Sequence, residues 1–418
     1  MNKSAIQSAI KRKAGFTIVE LIIVIVVIGI LAGIVIIAYG AWQSRLASDV
    51  VKSDLTNVVS AMENTRNFGD VGYPSAVPAS IVGSNKVTLA GGGRPGGKTF
   101  CVEGTSTATT KKFYVSNKQV DPIEGSCTMT SVAFAGSGAS GYVNAVGTAA
   151  SFSRIEGIGV AQDGTVYAAD EDHLRRIATN GAVSLYDGTG SDGFTSGVVG
   201  ADMFNAARGV AVDSSGNIYV LAINNNAIYK ITPDGVKTVH TPGIHGTDLI
   251  LGKDNNFYAL VGDNYSGKLF VTTMAGGTAT LIAGNATNAT VDGQGAAASL
   301  HDPRSLARAS DGTIYICETG SGLVRKVSPS NYVSTYAGSG SSYAGGATSP
   351  INGWCGGVAV DSSDILYVAA GNKLQTIDKN GTVTDFATIS GAASSVAIDN
   401  DGNIFIGTGR VLYKIIVP

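Results

Sequence analysis

The sequence is poor in charge, cysteine and histidine, and these shortages exclude several classes of function. Charged residues make up 14% of the chain, and a formal net charge of −2 provides no field that would attract nucleic acid or an anionic membrane surface. There are only 4 cysteines and 4 histidines. Paired zinc-type cysteines, a P-loop, a nucleophile elbow and a basic aromatic stripe are absent. We therefore expect no catalytic residue, metal ligand, cofactor or nucleic-acid partner, and the sequence predicts that the protein is not an enzyme.

What the sequence has instead is glycine, at 56 positions, and one long apolar run. Abundant glycine with little charge is typical of a turn-rich β protein. The run from Leu21 to Tyr39 contains no charge and no proline. Counted from Phe16 at about 1.5 Å per residue, it covers the roughly 30 Å of a bilayer's hydrocarbon core. One acid, Glu20, lies near its start, where a carboxylate needs a partner and by default marks function.

Basic residues precede the apolar run at positions 3, 11, 12 and 13. They predict a cytoplasmic N-terminus, with the chain beyond Tyr39 on the outer side of the membrane. An ordinary single-span anchor, in which Glu20 only reaches back to the interface, is an alternative. A secreted protein with a removed signal peptide fits less well, because the run is too long and no small-residue cleavage site follows it.

The sequence KAG followed by FTIVE resembles the leader junction of a type IV prepilin. The resemblance implies that residues 1–15 are a leader peptide, and that a prepilin peptidase cuts between Gly15 and Phe16 and methylates the new amine. It also implies that Glu20 meets the Phe16 amine of a neighbouring subunit, so that the assembly partners are other pilin subunits. The same anchor serves pseudopilins of secretion or DNA-uptake systems, and that alternative stays open.

A helix is predicted over 16–68, with its transmembrane half at about 16–39 and a stop at Gly69. Beyond Tyr39, apolar residues recur at three- to five-residue steps, which predicts one apolar stripe on a solvated helix. The stripe consists of Trp42, Leu46, Val50, Leu55, Val58, Val59 and Met62.

Residues 69–130 predict a small β-domain of short strands, including a hairpin of FCVEG (100–104) and KKFYVSN (111–117). So few large apolar residues give a marginal core, and a bridge between Cys101 and Cys127 would stabilise it by roughly 3 kcal/mol. Such a bridge resembles the disulfide-closed loop near the end of many small pilins. Two free thiols are the alternative.

From residue 131 onward the sequence is a repeat of strand, Asp/Gly/Asn turn and strand. The repeated phrases are GIGVAQDGTVYAAD (157–170), GVAVDSSGNIYVLA (209–222), DLILGKDNNFYALV (248–261), SLARASDGTIYICE (305–318), GVAVDSSDILYVAA (357–370) and SVAIDNDGNIFIGT (395–408). A third strand follows each phrase, and a fourth follows in all but the last. Six units of four strands predict an all-β six-bladed propeller over 131–418, after an α+β pilin module. The last unit lacks its fourth strand, so we expect SVAFAGSG (131–138) to close the ring.

These repeats resemble the NHL family of propellers, most closely over residues 301–340. The resemblance implies a fold, and function does not follow from it. Cys317 ends the second strand of blade four and Cys355 precedes the first strand of blade five, on the same face of adjacent blades. An inter-blade disulfide is therefore expected, with two free thiols as the alternative.

The densest group of possible metal ligands is Asp170, Glu171, Asp172 and His173, just after the second strand of blade one. Only blade four adds an acid at the equivalent place, Glu318. Since a central metal needs ligands from several blades, we expect the group to be a solvated loop. The repeated aspartates, including Asp213, Asp361 and Asp399, are expected to stabilise turns.

The sequence as a whole predicts a type IV pilin-like subunit, a minor or tip subunit because its head is bulky. It would assemble through the N-terminal helix and display the propeller for adhesion to a surface, glycan or protein ligand. It would cross the cytoplasmic membrane once before assembly and lie in an extracellular pilus or on the cell surface afterwards. A membrane-tethered, metal-dependent hydrolase or lyase, using the acids near 170–173 and Glu318, is the alternative from another class.

Overall fold

The computed structural model describes residues 18–66, 73–74, 76–93, 100–109, 111–117, 119–127, 129–188, 197–199, 204–263, 266–285, 287–338, 354–378, 381 and 383–416. The predicted cleavage site, Gly15 and Phe16, lies outside these residues, as does the predicted helix stop at Gly69. The chain divides into two compact units. The first comprises residues 1–64, 76–91 and 102–126, and the second comprises residues 65–75, 92–101 and 127–418.

One long helix, α1 (Ile18–Asn64), dominates the first unit. Its 47 residues extend over about 70 Å, and no proline interrupts them. From residue 18 to residue 47 no side chain is buried, and Ile18 and Ile37 are 78% and 75% exposed. By length and composition α1 is able to cross a membrane.

The second half of α1 has two apolar faces where the sequence analysis predicted one stripe. The buried residues are Ser48, Val51, Asp54, Leu55, Val58 and Met62. Trp42, Leu46 and Val50 are exposed, at 56%, 52% and 36%. The single-stripe prediction was therefore wrong for these three residues, because steps of up to five residues join neighbouring faces of a helix.

A small four-stranded sheet follows α1, with the strand order β1-β2-β3-β4, in which β3 and β4 pair antiparallel. Its strands are β1 (Val87–Gly93), β2 (Phe100–Ser106), β3 (Lys112–Ser116) and β4 (Ile123–Glu124). A Cβ at Gly104 would lie 2.7 Å from the Val51 side chain, so a glycine is needed where β2 meets the helix. The Asp54 carboxylate accepts hydrogen bonds from the N–H and the hydroxyl of Ser84, both at 2.7 Å.

The second unit begins with β5 (Met129–Ala135), and the first three blades follow it. Blade one consists of β6 (Ile155–Val160), β7 (Val166–Asp170), β8 (His173–Ile177) and β9 (Val183–Asp187). Blade two consists of β10 (Gly197–Val198), β11 (Ala207–Val212), β12 (Ile218–Ala222), β13 (Ala227–Ile231) and β14 (Val236–Pro242). Blade three consists of β15 (Asp248–Leu251), β16 (Asn256–Asp263), β17 (Ser266–Thr273) and β18 (Thr280–Gly284).

Two short strands, β19 (Gly293–Gln294) and β20 (Leu300–His301), lie in the segment that connects blades three and four. Blade four consists of β21 (Pro303–Arg308), β22 (Ile314–Glu318), β23 (Leu323–Val327) and β24 (Tyr332–Ala337). Blade five consists of β25 (Cys355–Val360), β26 (Leu366–Ala370), β27 (Lys373–Ile377) and β28 (Val383–Thr388). Blade six has β29 (Ser395–Ile398), β30 (Ile404–Gly407) and β31 (Leu412–Ile416).

The innermost strands β6, β11, β15, β21, β25 and β29 contact one another in a closed cycle. Blade six meets blade one where the Ser394 hydroxyl donates to the Ile155 carbonyl at 2.8 Å. The approach is close: a Cβ at Gly157 would lie 1.9 Å from the Arg208 carbonyl oxygen. Clusters of buried apolar side chains fill the interfaces between successive blades. The region is thus an all-β propeller with its core between the blades.

The strand β5 supplies the outer strand of blade six, since it pairs antiparallel with β31 from Ala135↔Leu412 to Thr130↔Ile416. It also pairs in parallel with β28 of blade five, through Met129↔Ala387 and Thr130↔Thr388. Blades five and six therefore form one continuous sheet of eight strands among the described residues.

Candidate functional site

The exposed apolar half of α1 is the first candidate site. Glu20 lies in its first turn, where an acid is favourable because the helix dipole is positive at that end. Around it, Val19, Leu21 and Val24 are 65%, 53% and 44% exposed. The segment thus presents one carboxylate within an apolar surface that the described part of the chain leaves uncovered.

The structure contains both expected disulfides. Cys101 is joined to Cys127, with their Cα atoms 5.9 Å apart. Cys317 in β22 is joined to Cys355 in β25, with a Cα–Cα distance of 5.7 Å, and this bridge links blades four and five. No free cysteine is found in the described chain.

The group at residues 170–173 does not form a solvated loop. Asp170 is fully buried, and its carboxylate forms hydrogen bonds with other groups of the protein. Its carboxylate accepts hydrogen bonds from the Arg154 N–H at 2.7 Å and from Arg175 Nη1 at 2.9 Å. Burial raises the pKa of Asp170, and these donors oppose the shift. The prediction of a solvated loop was wrong for this residue, because Arg175 lies within the sheet and compensates its charge.

The neighbours of Asp170 hold adjoining loops. Glu171 accepts a hydrogen bond from the Tyr142 hydroxyl at 2.9 Å, and Asp172 accepts one from the Ala206 N–H at 2.8 Å. The His173 ring lies against the Tyr142 ring, with centroids 4.1 Å apart, and burial lowers the pKa of His173. Among the described residues, no three His, Cys, Asp or Glu side chains converge on a point that could hold a metal.

Glu318 occupies the equivalent position in blade four and is also fully buried. Its carboxylate pairs with Arg325 Nη1 at 2.9 Å, and burial raises its pKa against the effect of that arginine. Arg325 also contacts Asp292 at 2.5 Å and donates to the Ser299 carbonyl at 3.3 Å. Glu318 therefore has a structural arrangement like that of Asp170, and the two acids are held in separate blades.

Sequence reasoning missed Arg175 and Arg325, although the sequence contained a signal. Both are the third residue of a third strand, in HLRRI and LVRKV. Because successive side chains in a strand point to opposite faces, one of the adjacent Arg175 and Arg176 has to face the inside of the sheet. A buried arginine requires an acid, and the only acid that closes the preceding strand is Asp170.

The repeated aspartates stabilise turns, as predicted. Asp213 Oδ1 accepts hydrogen bonds from the N–H groups of Ser215 and Asn217, both at 2.9 Å. Asp361 and Asp399 make the same contacts in their own blades. These aspartates are therefore occupied by the local backbone.

A cavity of about 390 Å³ follows the propeller axis and is lined by the first strands of the six blades. Asp248, the first residue of β15, borders it. Its carboxylate accepts hydrogen bonds from the N–H groups of Leu249 at 2.8 Å and Leu306 at 3.0 Å. Burial raises the pKa of Asp248 to about 6, and these hydrogen bonds limit the rise.

At one end of this channel lies a second cavity, of about 240 Å³, which we call the mouth. It shares Glu156, Thr247, Arg304 and Ser394 with the channel, so the two are continuous. Sequence reasoning did not identify the mouth, because its side chains come from different blades and form no short motif.

Comparison with known proteins separates the two parts of the chain. Residues 10–36 match the family described as the prokaryotic N-terminal methylation motif, and no curated protein matches the chain. A solved structure of unknown function from Bacteroides thetaiotaomicron is similar with a TM-score of 0.53 and 15% identity, over 80% of this chain and 91% of that one. A gluconolactonase from Xanthomonas campestris has a TM-score of 0.48 and 16% identity, over 66% and 88% of the chains. A virginiamycin B lyase from Staphylococcus aureus has a TM-score of 0.44 and 14% identity, over 76% and 92%.

The expectation that the protein is not an enzyme was wrong as a conclusion from the sequence, since two of these similar structures are named as enzymes and the propeller fold therefore does not exclude catalysis. It depended on the absence of short catalytic motifs. A propeller places side chains from distant blades around one axis, so short motifs do not record which groups meet there. At 14–16% identity the likeness shows the fold alone. The chain thus combines a prokaryotic N-terminal methylation motif on a membrane-length apolar helix with an all-β region of propeller type.

Proposed function

We propose that the protein is a type IV pilin-like subunit that assembles through α1 and displays the propeller as a binding head. The observation that carries this proposal is the uncovered apolar surface of α1, which directly follows the start of the methylation motif. An apolar surface of this length is stable in a bilayer or against other helices, but costly in water. In a subunit that leaves the membrane by joining a filament, this surface is covered by lipid before assembly and by other helices afterwards.

The two faces of α1 support the same proposal. One face of the upper helix packs within its own unit through Val51, Leu55 and Val58. Tyr39, Trp42, Leu46 and Val50 recur at steps of three and four residues and stay exposed, so they form a second face. This face continues the apolar surface of the first half and provides a place for helices of other subunits.

The motif supports a proposal for processing and orientation. We propose that the peptidase cuts after Gly15 and leaves Phe16 as the methylated N-terminus on the cytoplasmic side. The positive amine of Phe16 then pairs with Glu20 of a neighbouring subunit, which compensates a carboxylate in an apolar setting. The bulk of the propeller favours a minor or tip subunit in a pilus on the cell surface, and a pseudopilus is the alternative assembly.

Assembly is tested with Glu20→Ala, expressed in cells that carry a pilus machinery. We expect the variant to be cleaved after Gly15, because the peptidase acts at the leader junction, but to be absent from sheared filaments. Mass spectrometry of the N-terminus shows whether the leader is cleaved, and immunoblotting of the sheared fraction shows whether the subunit is assembled. Immunogold labelling with an antibody to the propeller tests position, and sparse or terminal labelling is expected for a minor or tip subunit.

Asp49→Ala is the matched control, since Asp49 is an exposed acid on the same helix beyond the apolar run. It should be processed and incorporated like the wild type. Normal incorporation of Glu20→Ala, or a mature protein that still begins at Met1, contradicts the proposal.

A further inference from the structure

We propose that the mouth of the propeller channel binds a carboxylated sugar unit of an acidic polysaccharide. The mouth lies wholly within the second unit of the chain. The inference gives a ligand to the proposed binding head and rests on that proposal for its biological setting.

The charge of the mouth favours an anion. Its lining contains three arginines, Arg154, Arg208 and Arg304, against the single acid Glu156. Arginine presents a planar fork of donors that matches the two oxygens of a carboxylate, whereas lysine acts as a point charge. The three arginines come from blades one, two and four, so they surround the opening instead of forming a patch on one blade.

The guanidinium groups of the mouth are positioned but not saturated. Glu156 pairs with Arg154 Nε at 2.7 Å and with Arg208 Nη1, which fixes both arginines with one carboxylate. A guanidinium has five N–H donors. The Nε atom of Arg208 is buried and has no hydrogen-bond partner in the described structure. Arg304 approaches only Asp302, at 3.6 Å, within the described part of the chain. The side chains of Arg154 and Arg304 are 58% and 44% exposed, so their remaining donors are accessible to an incoming carboxylate.

The remaining lining favours a sugar ring over a small inorganic anion. Trp354 borders the mouth and is 62% exposed, and an exposed indole offers a flat apolar surface for the C–H face of a pyranose. The hydroxyls of Thr247, Thr319 and Ser394 each donate to a protein oxygen, and their own oxygens remain able to accept hydrogen bonds from sugar hydroxyls. A compact phosphate ion would leave both features unused.

The volume and the floor of the mouth limit how many sugar units of a polysaccharide it is able to hold. Between Gly356 and Ala393 the floor is backbone, because a Cβ at Gly356 would lie 1.8 Å from the Ala393 carbonyl oxygen. The volume of about 240 Å³ lies below the roughly 300–1,000 Å³ of pockets that enclose whole small molecules. The mouth therefore suits one ring of a polymer, with the rest of the polymer outside.

The test uses the full-length chain in detergent micelles and isothermal titration calorimetry with three probes. The first is a hexamer of galacturonic acid, the second a neutral glucan hexamer, and the third inorganic polyphosphate. We expect binding of the galacturonic acid hexamer, no measurable binding of the neutral glucan, and weaker binding of polyphosphate.

Two variants and two matched controls locate the site. Trp354→Ala and Arg304→Gln should each weaken binding of the galacturonic acid hexamer by at least about tenfold. Tyr332→Ala removes an exposed aromatic residue of blade four, and Arg176→Gln removes a charge of blade one outside the mouth. Both controls should change the affinity less than about twofold.

Three results overturn the inference: equal binding of the neutral glucan, no binding of the galacturonic acid hexamer to the wild type, or unchanged binding after Trp354→Ala. Polyphosphate that binds as tightly as the sugar, and independently of Trp354, identifies a general anion site and also overturns it. Filament assembly plays no part in this measurement. If the protein binds the galacturonic acid hexamer but does not assemble into filaments, only the proposed function is contradicted. If it assembles but does not bind the hexamer, only this inference is contradicted.

Discussion

Two buried arginines hold equivalent parts of blades one and four. Arg175 pairs with Asp170 and donates to the Ser151 carbonyl, as Arg325 pairs with Glu318 and donates to the Ser299 carbonyl. Loss of one partner from a buried ion pair leaves the other charge uncompensated, at a cost of about 3–5 kcal/mol. We expect Arg175→Leu to lower the free energy of unfolding by that amount. Urea denaturation of the detergent-solubilised chain, followed by circular dichroism, measures the loss.

The neighbouring Arg176 provides the control for this prediction. It is only partly buried, so Arg176→Leu should change the free energy of unfolding by less than about 0.5 kcal/mol. The double variant Asp170→Leu, Arg175→Leu should recover much of the loss, because removal of both charges leaves none unpaired. Equal effects of Arg175→Leu and Arg176→Leu would contradict the structural role of the pair.

At this scale the sequence located the acids but not their partners. Asp170 and Glu318 were placed correctly at the ends of second strands, because strand ends follow from the repeat. Their burial could not be derived, since it depends on which of two adjacent arginines faces inward. The predicted turn aspartates succeeded because their partners lie within four residues in sequence.

Asp248 makes stability depend on pH. Its pKa is raised to about 6, above the value of about 3.9 in an unfolded chain. Between these two values the folded state binds more protons than the unfolded state, so stability falls as the pH rises from about 4 to 6. We expect the cost at pH 7 to be on the order of 1–3 kcal/mol, since a pKa difference of one unit corresponds to about 1.4 kcal/mol.

The variant Asp248→Asn removes this titration. We expect its free energy of unfolding, relative to the wild type, to increase by that amount between pH 4 and pH 7. Urea denaturation at several pH values measures the difference, with Asp401→Asn, an exposed turn residue, as the control. A difference between variant and wild type that stays constant over this range would contradict the raised pKa.

At the scale of elements, the bridge between β22 and β25 ties two blades together. It closes a loop with a sequence separation of 38 residues, for which the chain-entropy model gives about 4 kcal/mol. We expect Cys317→Ala with Cys355→Ala to lower the free energy of unfolding by about this amount. Hydrogen exchange should show the lost protection in blades four and five.

The corresponding control removes the other bridge, with Cys101→Ala and Cys127→Ala. Protection of β22 and β25 should then be unchanged, because this bridge holds β2 and not the blades. A loss below about 1 kcal/mol in the blade variant would show that the apolar cluster around Cys317 and Cys355 is sufficient by itself.

The presence of the long helix α1 was predicted well from the sequence, but the partners of its apolar faces were not. An uninterrupted apolar run fixes the existence of α1, which ends at Asn64, four residues before the predicted end at residue 68. The apolar periodicity does not state which partner each face meets. Val51 and Leu55 meet the small sheet next to Gly104, whereas Trp42 and Leu46 have no such neighbour in the described chain.

At the scale of the whole molecule, the repeat predicted the six blades and the use of the strand after residue 131 to complete the last one. The parallel contact of β5 with β28 was not predicted. It involves Met129 and Thr130, which precede the phrase that matched the fourth-strand pattern. A repeat identifies equivalent strands, whereas a contact between non-equivalent blades depends on the path of the chain between them.

The position of β5 between two blades leads to a last prediction. Successive N–H groups of a strand point to opposite sides, so of Val132 and Ala133 one donates towards β31 and the other does not. Proline lacks the N–H group and is tolerated only where no ladder hydrogen bond is lost. One of Val132→Pro and Ala133→Pro should therefore lower the free energy of unfolding by about 1–3 kcal/mol. The other serves as its control and should lower it distinctly less.

Hydrogen exchange should show the loss of protection in both blades five and six, since β5 pairs with β28 as well as β31. Equal, small effects of the two prolines would mean that β5 does not close the propeller, and a loss confined to blade six would mean that the contact with β28 does not couple the blades.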